Sequence, residues 1–247
     1  MNTINSQVNY DEFFSFIADE EWWIASQPIV NIKDHIQIAK ELLIRVGKEG
    51  SVLDNSKFFP EITLDPRFLQ VSLNIWALIK KNIENNSNIF SEKTFINICP
   101  KDIENEKLVS KIKDVNSKFL SCEKRIVLEL SEQFSEMELT NSNDIFIDLF
   151  NLGIEFAVDD YGLGVLDLDL IKRTKASFLK FDKSICIEDF AKNQDLIKQA
   201  LLFCRDNNIT SIAEGVETVE QKDILLNEGF ALAQGFLFEE PKQIFSA

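Results

Sequence analysis

Apolar runs of three to seven residues, bounded by breakers and separated by helical patterns, recur along this chain and restrict it to an alternating α/β fold. They centre on Ile24 to Val30, Glu41 to Val46, Thr94 to Ile98, Arg125 to Leu130, Ile154 to Val158, Phe178 to Phe181, Ser211 to Ala213, and Phe236 to Phe238. Helical periodicity fills most of the gaps, as in Pro66 to Ile83, Asp144 to Leu152, Gln194 to Asn207 and Val219 to Asn227. Eight strands alternating with helices over 247 residues is the count expected of a modified (β/α)8 barrel of the triosephosphate isomerase type, read as a single domain over 1–247. An open doubly wound sheet is the alternative. Only Asn31 to Lys40 separates the first two strands, too little for a crossover helix, so they are expected to pair antiparallel. Tyr10 to Trp23, with Phe13, Phe14, Phe16 and Ile17, reads as an N-terminal helix, about residues 8–20, over the barrel floor. The Asn-rich stretch Asn82 to Ser91 reads as a surface loop.

Polar residues gather at the edges of these strands. Asp159 and Asp160 follow Ile154 to Val158, and the glycine turn Gly162-x-Gly164 comes after them. Glu41 opens the second strand, Asn97 lies in the third, Glu129 ends the fourth, Lys180 and Asp182 end the sixth, Glu214 ends the seventh, and Gln234 precedes the eighth. Any one carboxylate here could be a solvated turn residue or a helix cap; Asp182, before Lys183 and Ser184, fits a cap. A barrel would bring all of them to one rim, where unneutralised carboxylates are costly. Divalent cations relieve that cost, and an oxygen donor set without histidine or thiolate selects hard ions such as Mg²⁺ or Mn²⁺. Adjacent aspartates suit two ions, which together clamp the attacking and leaving oxygens of phosphoryl chemistry. Lys180 alternates away from Leu179 and Phe181, so it is either an ammonium that orients or deprotonates water or one half of a structural ion pair.

Charge narrows the partners. With 26 basic and 41 acidic residues the net charge is −15, which disfavours binding to polymeric nucleic acid or to an anionic membrane. An anionic ligand would need locally supplied positive charge. No apolar run reaches the roughly 18 residues of a membrane span, and residues 1–5 lack an export signal, so a cytoplasmic protein is expected. Cys99, Cys122, Cys186 and Cys204 form no CxxC pair and read as buried free thiols. The single histidine, His35, lies in a polar stretch and reads as a surface residue, which leaves no histidine for a triad. Reading Gly162-x-Gly164 as a phosphate cradle is weak, because the aspartates would repel phosphate and no G-x-G-x-x-G pattern follows.

From about Tyr10 to Phe245 the chain resembles the EAL-domain cyclic di-GMP phosphodiesterases. Gln27-Pro28-Ile29-Val30 is similar to that family's Q-P-I-V, and Glu41-Leu42-Leu43-Ile44-Arg45 to its E-A-L-L-R. Asn97 to Pro100 resembles N-x-S-P, Glu129 to Glu132 resembles E-x-T-E, and Asp159 to Gly164 resembles D-D-F-G-T-G. Leu179 to Asp182 matches L-K-I-D, Ala213 to Thr218 matches A-E-G-V-E-T, and Gln234-Gly235 with Pro241 matches the closing Q-G and P.

The resemblance implies hydrolysis of cyclic di-GMP to the linear dinucleotide pGpG with two Mg²⁺ or Mn²⁺ ions; a catalytically inactive relative that binds the dinucleotide or a protein partner is the alternative. It implies that Glu41, Asn97, Glu129 and Asp159 hold one ion, and that Asp159 and Asp160 reach the second. Lys180 would orient or activate the water, with Glu214 supporting that water or the second ion. Arg45 would meet a substrate phosphate, and Gln27, Gln234 and Pro241 would line the nucleotide. Glu132 would anchor the glycine loop, with Asp182 and Glu217 as further supports. Leu42 replaces a packing alanine, Cys99 a serine and Ser131 a threonine, none of them a required ligand. The largest departure is Leu163 with Val165-Leu166-Asp167, in the loop that the resemblance implicates in a homodimer contact.

Overall fold

Strand β1 (Trp22–Asn31) runs antiparallel to β2 (Gln37–Lys48), with Gln27 opposite Glu41. Their tight turn is built by side chains that cap their own backbone: Asn31 Oδ1 accepts from Lys33 N at 2.9 Å and Asp34 Oδ1 from Ile36 N at 3.0 Å. The computed structural model describes residues 10–48, 51–53, 59–131, 134–162 and 168–246. The remaining strands are β3 (Ser51–Val52), β4 (Lys93–Ile98), β5 (Arg125–Leu130), β6 (Glu155–Tyr161), β7 (Phe178–Phe181), β8 (Thr210–Ala213), β9 (Leu232–Ala233) and β10 (Lys242–Ser246). The helices are α1 (Tyr10–Ala18), α2 (Phe59–Ile62), α3 (Phe68–Asn85), α4 (Pro100–Glu104), α5 (Glu106–Ser121), α6 (Glu136–Asn141), α7 (Asn143–Asn151), α8 (Leu168–Arg173), α9 (Phe190–Asp206) and α10 (Val219–Glu228).

Strands β2, β4, β5, β6, β7, β8 and β9 are parallel neighbours in that order, and β1 joins β9 to β2, antiparallel to both. The result is a closed barrel of eight strands with one reversed, as the short first connection predicts. The reversed strand has a free edge beyond β9, and β10 pairs there, placing Trp23 opposite Ser246.

Three expectations are corrected. The eighth barrel strand is Leu232–Ala233 and not Phe236 to Phe238, which forms a turn instead. Gly235 causes the difference: its φ is +157°, and a Cβ there would lie 2.1 Å from Val216 O, so the chain must turn against the β8 loop. The N-terminal helix ends at Ala18, Trp22 and Trp23 belonging to β1. It lies beside the C-terminal end of β2 rather than under the floor, because Glu21 O accepts from Gly47 N. The Asn-rich loop is also shorter than expected, since α3 runs on to Asn85.

Two apolar layers hold the barrel. Inside it, each strand contributes one plug residue: Ile29, Ala39, Phe95, Val127, Ala157, Phe178, Ile212 and Leu232, all at most 6% exposed. Outside, the alternate strand positions meet the apolar stripes of the helices, such as Val71, Trp76 and Ile79 of α3 and Leu108, Ile112 and Phe119 of α5. All four cysteines are free thiols; Cys122 is only half-buried, while the other three are buried as expected.

Candidate metal centre at the barrel mouth

Side chains two positions apart on a strand share a face. One such step from each plug residue toward the mouth therefore names the next inward layer: Gln27, Glu41, Asn97, Glu129, Asp159, Lys180, Glu214 and Gln234. Every member is polar, and every one was singled out in the sequence. The plug below closes off the far end of the barrel, so this layer is reached only from the mouth.

Lys180 is the hub. Its Nζ lies 2.7 Å from Glu129 Oε1, 2.8 Å from Glu214 Oε1, 2.9 Å from Asp159 Oδ1 and 3.5 Å from Glu41 Oε2. It is 1% exposed and Glu129 is fully buried. Burial alone would pull the Lys180 amine down, but Asp159, Glu129, Glu214 and Glu41 together hold it well above its ordinary range. One ammonium cannot neutralise all four carboxylates. Burial, with Glu41 and Asp159 close by, pushes Glu129 well up against the pull of Lys180. Burial likewise pushes Glu214 well up, against Lys180 and with Asp159, Glu41 and Asp160 adding to the rise. Glu41 differs: burial raises it, yet Lys180 and the bonds from Gln234 and Asn97 outweigh burial and leave it lowered. Those bonds are Gln234 Nε2 to Oε2 at 2.6 Å and Asn97 Nδ2 to Oε1 at 3.1 Å.

The aspartate pair owes its geometry to a bulge. Val158 pairs with Leu179 and Tyr161 with Phe181, so β6 carries one residue more than β7 across this interval. In a regular strand Asp159 and Asp160 would face opposite sides. Here Asp160 takes φ of 51°, and carboxylate oxygens of Asp159, Asp160 and Glu214 come within 4.8 Å of one another. Tyr161 then resumes the outward side, its ring 5.3 Å from that of Phe181. Sequence reading found the pair but not the bulge, which leaves no residue signature beyond the glycine that follows.

The donor set fits hard divalent cations. It is all oxygen, it carries more negative charge than Lys180 offsets, and Glu129 Oε2 is buried with no hydrogen-bond partner among the described residues.

The remaining predicted residues surround the carboxylate cluster or lie apart from it. Gln27 and Gln234 are tied to each other at 3.0 Å, and Gln27 Nε2 donates to Glu239 O at 3.0 Å, so both are engaged within the protein. Arg45 lies two steps further along β2 on the side of Glu41, its Nη1 donating to Ile44 O at 3.0 Å; burial lowers its guanidinium while Glu41 opposes that. Asp182 caps the turn after β7, its Oδ1 accepting from Ser184 N at 2.8 Å. Glu217 is exposed at the start of α10, and Pro241 precedes β10. Glu132, Gly164 and Leu163 to Asp167 lie outside the described residues.

Comparison with known proteins agrees with this geometry. The model of the EAL domain family matches residues 15–241. Among curated relatives, the signaling protein YkoW of Bacillus subtilis is 25% identical over 91% of this chain and 29% of its own length. The probable cyclic di-GMP phosphodiesterase PdeN of Escherichia coli is 24% identical over 93% of this chain and 45% of its own length. The chain thus spans less than half of either relative. Among solved structures, the PaMucR phosphodiesterase of Pseudomonas aeruginosa in complex with c-di-GMP superposes with a TM-score of 0.79 at 21% identity, covering 94% of this chain and 96% of that one. At that identity the superposition speaks to the fold.

Proposed function

The chain belongs to the EAL domain family, and from that membership and the mouth geometry we propose that it hydrolyses cyclic di-GMP to linear pGpG with two Mg²⁺ or Mn²⁺ ions. The observation that carries the reading is the complete polar layer around Lys180. Glu41, Asn97, Glu129 and Asp159 would hold one ion, and Asp159, Asp160 and Glu214 the other. When bound, the ions supply the positive charge that neutralises a phosphodiester on a −15 protein.

The protein's own groups divide the remaining work. Lys180, held protonated by its carboxylates, is an orienting cation and not a base; its N–H groups fix Glu129, Asp159 and Glu214. Glu214, beside Lys180 and the aspartate pair, would hold the second ion or position the attacking water. Water adds to phosphorus, one P–O ester bond breaks, and the leaving oxygen ends as a ribose hydroxyl. Arg45 supplies a guanidinium on the mouth side of Glu41 for the second phosphate. On this reading 1–247 act as one EAL-type domain on a small-molecule substrate in the cytoplasm, with a homodimer contact through the loop after Asp160. Among the described residues no helix is long and apolar enough to cross a membrane.

Purified protein incubated with cyclic di-GMP and Mg²⁺ or Mn²⁺, with pGpG followed by chromatography, tests the reading. Metal-dependent pGpG supports it. Tight cyclic di-GMP binding without product would replace it with the non-catalytic regulator.

A further inference from the structure

The turn that follows Lys180 touches both of the loops that complete the metal centre. Its backbone is irregular: Ser184–Glu188 form a single π-helical turn, a local geometry often kept at functional sites. Asp182 closes that turn, its carbonyl accepting from Ile185 N and Cys186 N at 3.0 Å each and its side chain from Ser184 N at 2.8 Å. Three side chains then project toward the mouth loops. Ile185 fills the space beside Gly162, where a Cβ would stand 2.7 Å from Ile185 Cγ1. Lys183 lies against Gly215, where a Cβ would stand 2.6 Å from Lys183 Cβ. Cys186 Sγ lies 3.7 Å from Glu214 O and 3.4 Å from Phe181 O.

Gly162 has φ of +105° and Gly215 of +66°, so both contacts are made by backbone that only glycine holds without strain. Asp160, two residues before Gly162, is a non-glycine residue at φ 51°, a conformation that persists only where its surroundings impose it.

We propose that the turn from Lys183 to Cys186 is a brace that sets the spacing between Asp159 and Asp160 on one side and Glu214 on the other, with Ile185 the positioning residue for the aspartate loop. The inference rests on the metal-centre reading above. Because the turn follows Lys180 directly, one segment fixes the ammonium and both carboxylate loops against a common reference. Ile185 acts through the backbone at Gly162, against which it packs.

Mn²⁺ affinity of the intact chain, read by calorimetry and by the electron paramagnetic resonance of the free ion, tests the brace. The series Ile185→Val and Ile185→Ala is compared with Ile112→Val and Ile112→Ala in the α5 core, where the same methyl groups are removed away from the mouth. Affinity is expected to fall progressively at position 185, by about 10-fold for alanine. At position 112 it is expected to stay at the wild-type value while the melting temperature drops. Should Ile185→Ala fail to fold, the two valine variants carry the same comparison. Equal affinities at both positions overturn the brace and leave the metal centre standing. A wild-type chain that takes up no Mn²⁺ overturns the metal centre and the brace together.

Discussion

Gln234 Nε2 donates to Glu41 Oε2 at 2.6 Å, so the last barrel strand orients the first ligand of the centre. Gln234 donates to Gln27 as well, at 3.0 Å, and this three-residue chain is buried throughout. Replacing Gln234 by alanine leaves Glu41 with Lys180, Asn97 and Glu129 beside it. A lost bond to a buried charge costs about 1.5–3 kcal/mol. Gln234→Ala is therefore expected to lower the melting temperature and to weaken Mn²⁺ binding about 10- to 100-fold. Parallel thermal melts and Mn²⁺ calorimetry measure both, and unchanged metal affinity would assign Gln234 to the substrate alone.

Lys180→Met removes the only ammonium contacting Glu129, Asp159 and Glu214 among the described residues. Turnover is expected to fall by about 10²- to 10³-fold, the loss of one fixed charge at the reacting centre. Breaking a buried ion pair costs about 3–5 kcal/mol, so the chelated variant melts well below wild type. Added Mn²⁺ should recover much of that difference, since it supplies the charge the lysine provided. A variant equally unstable with and without Mn²⁺ would contradict this account of the cluster.

Glu129 and Glu214 are both pushed well above the ordinary carboxyl range, so the metal-free centre retains protons that a cation must displace. Mn²⁺ affinity is therefore expected to rise with pH until both groups ionise. Calorimetry in buffers of different ionisation enthalpy should register proton release. For these two groups the stability of the chelated protein declines as pH rises through their raised values; Glu41, which is lowered, acts oppositely and loses its contribution as pH falls. Melts with chelator should thus show this decline with rising pH, and melts with saturating Mn²⁺ should not.

Asp160→Gly retains a backbone at ease with φ of 51° and deletes a carboxylate. The metal-free variant is expected to stay within about 1 kcal/mol of wild type while losing activity, since relief of the backbone is set against a lost side-chain interaction and the added chain entropy of glycine. Denaturant unfolding with chelator, set beside turnover at saturating Mn²⁺, checks both halves. A variant that is less stable than wild type by more than this would mean that the Asp160 side chain holds the bulge.

Gly235→Ala would force a Cβ to within 2.1 Å of Val216 O, at a point where Val216 N also donates to Gln234 O at 3.0 Å. Backbone cannot move aside as a flexible side chain can. The expected loss exceeds about 4 kcal/mol, visible as poor soluble yield and a collapsed unfolding midpoint.

Much of this was legible in the sequence because barrel strands are short, apolar and regularly spaced. Alternation set Lys180 on the opposite side from Leu179 and Phe181, and residue order alone put Glu41, Asn97 and Glu129 on the strands that meet it. The failures occurred where local pattern and tertiary constraint separate. Phe236 to Phe238 looked like a strand by composition, yet Leu232 and Ala233 pair with Ile212 and Ala213, and Gly235 then needs the space against Val216. A two-residue strand has too little pattern to find. The bond between Gln27 and Gln234 spans 207 positions and leaves no mark in local pattern. The bulge at Asp159 and Asp160 was hidden because β6 reads as a regular strand until its register against β7 is known.

The pairing of β1 with β2, β9 and β10 sets an order of assembly. Glu41 is made 193 residues before the glutamine that aims it. A growing chain can form its βα units in succession, but the ring stays open and Glu41 lacks that donor until β9 emerges. Such distant contacts form slowly because the chain entropy of closure must be overcome before they stabilise anything. The centre therefore matures only once β9 has closed the ring, and a chain interrupted before Leu232 would carry most of its ligands with no closed barrel to hold them.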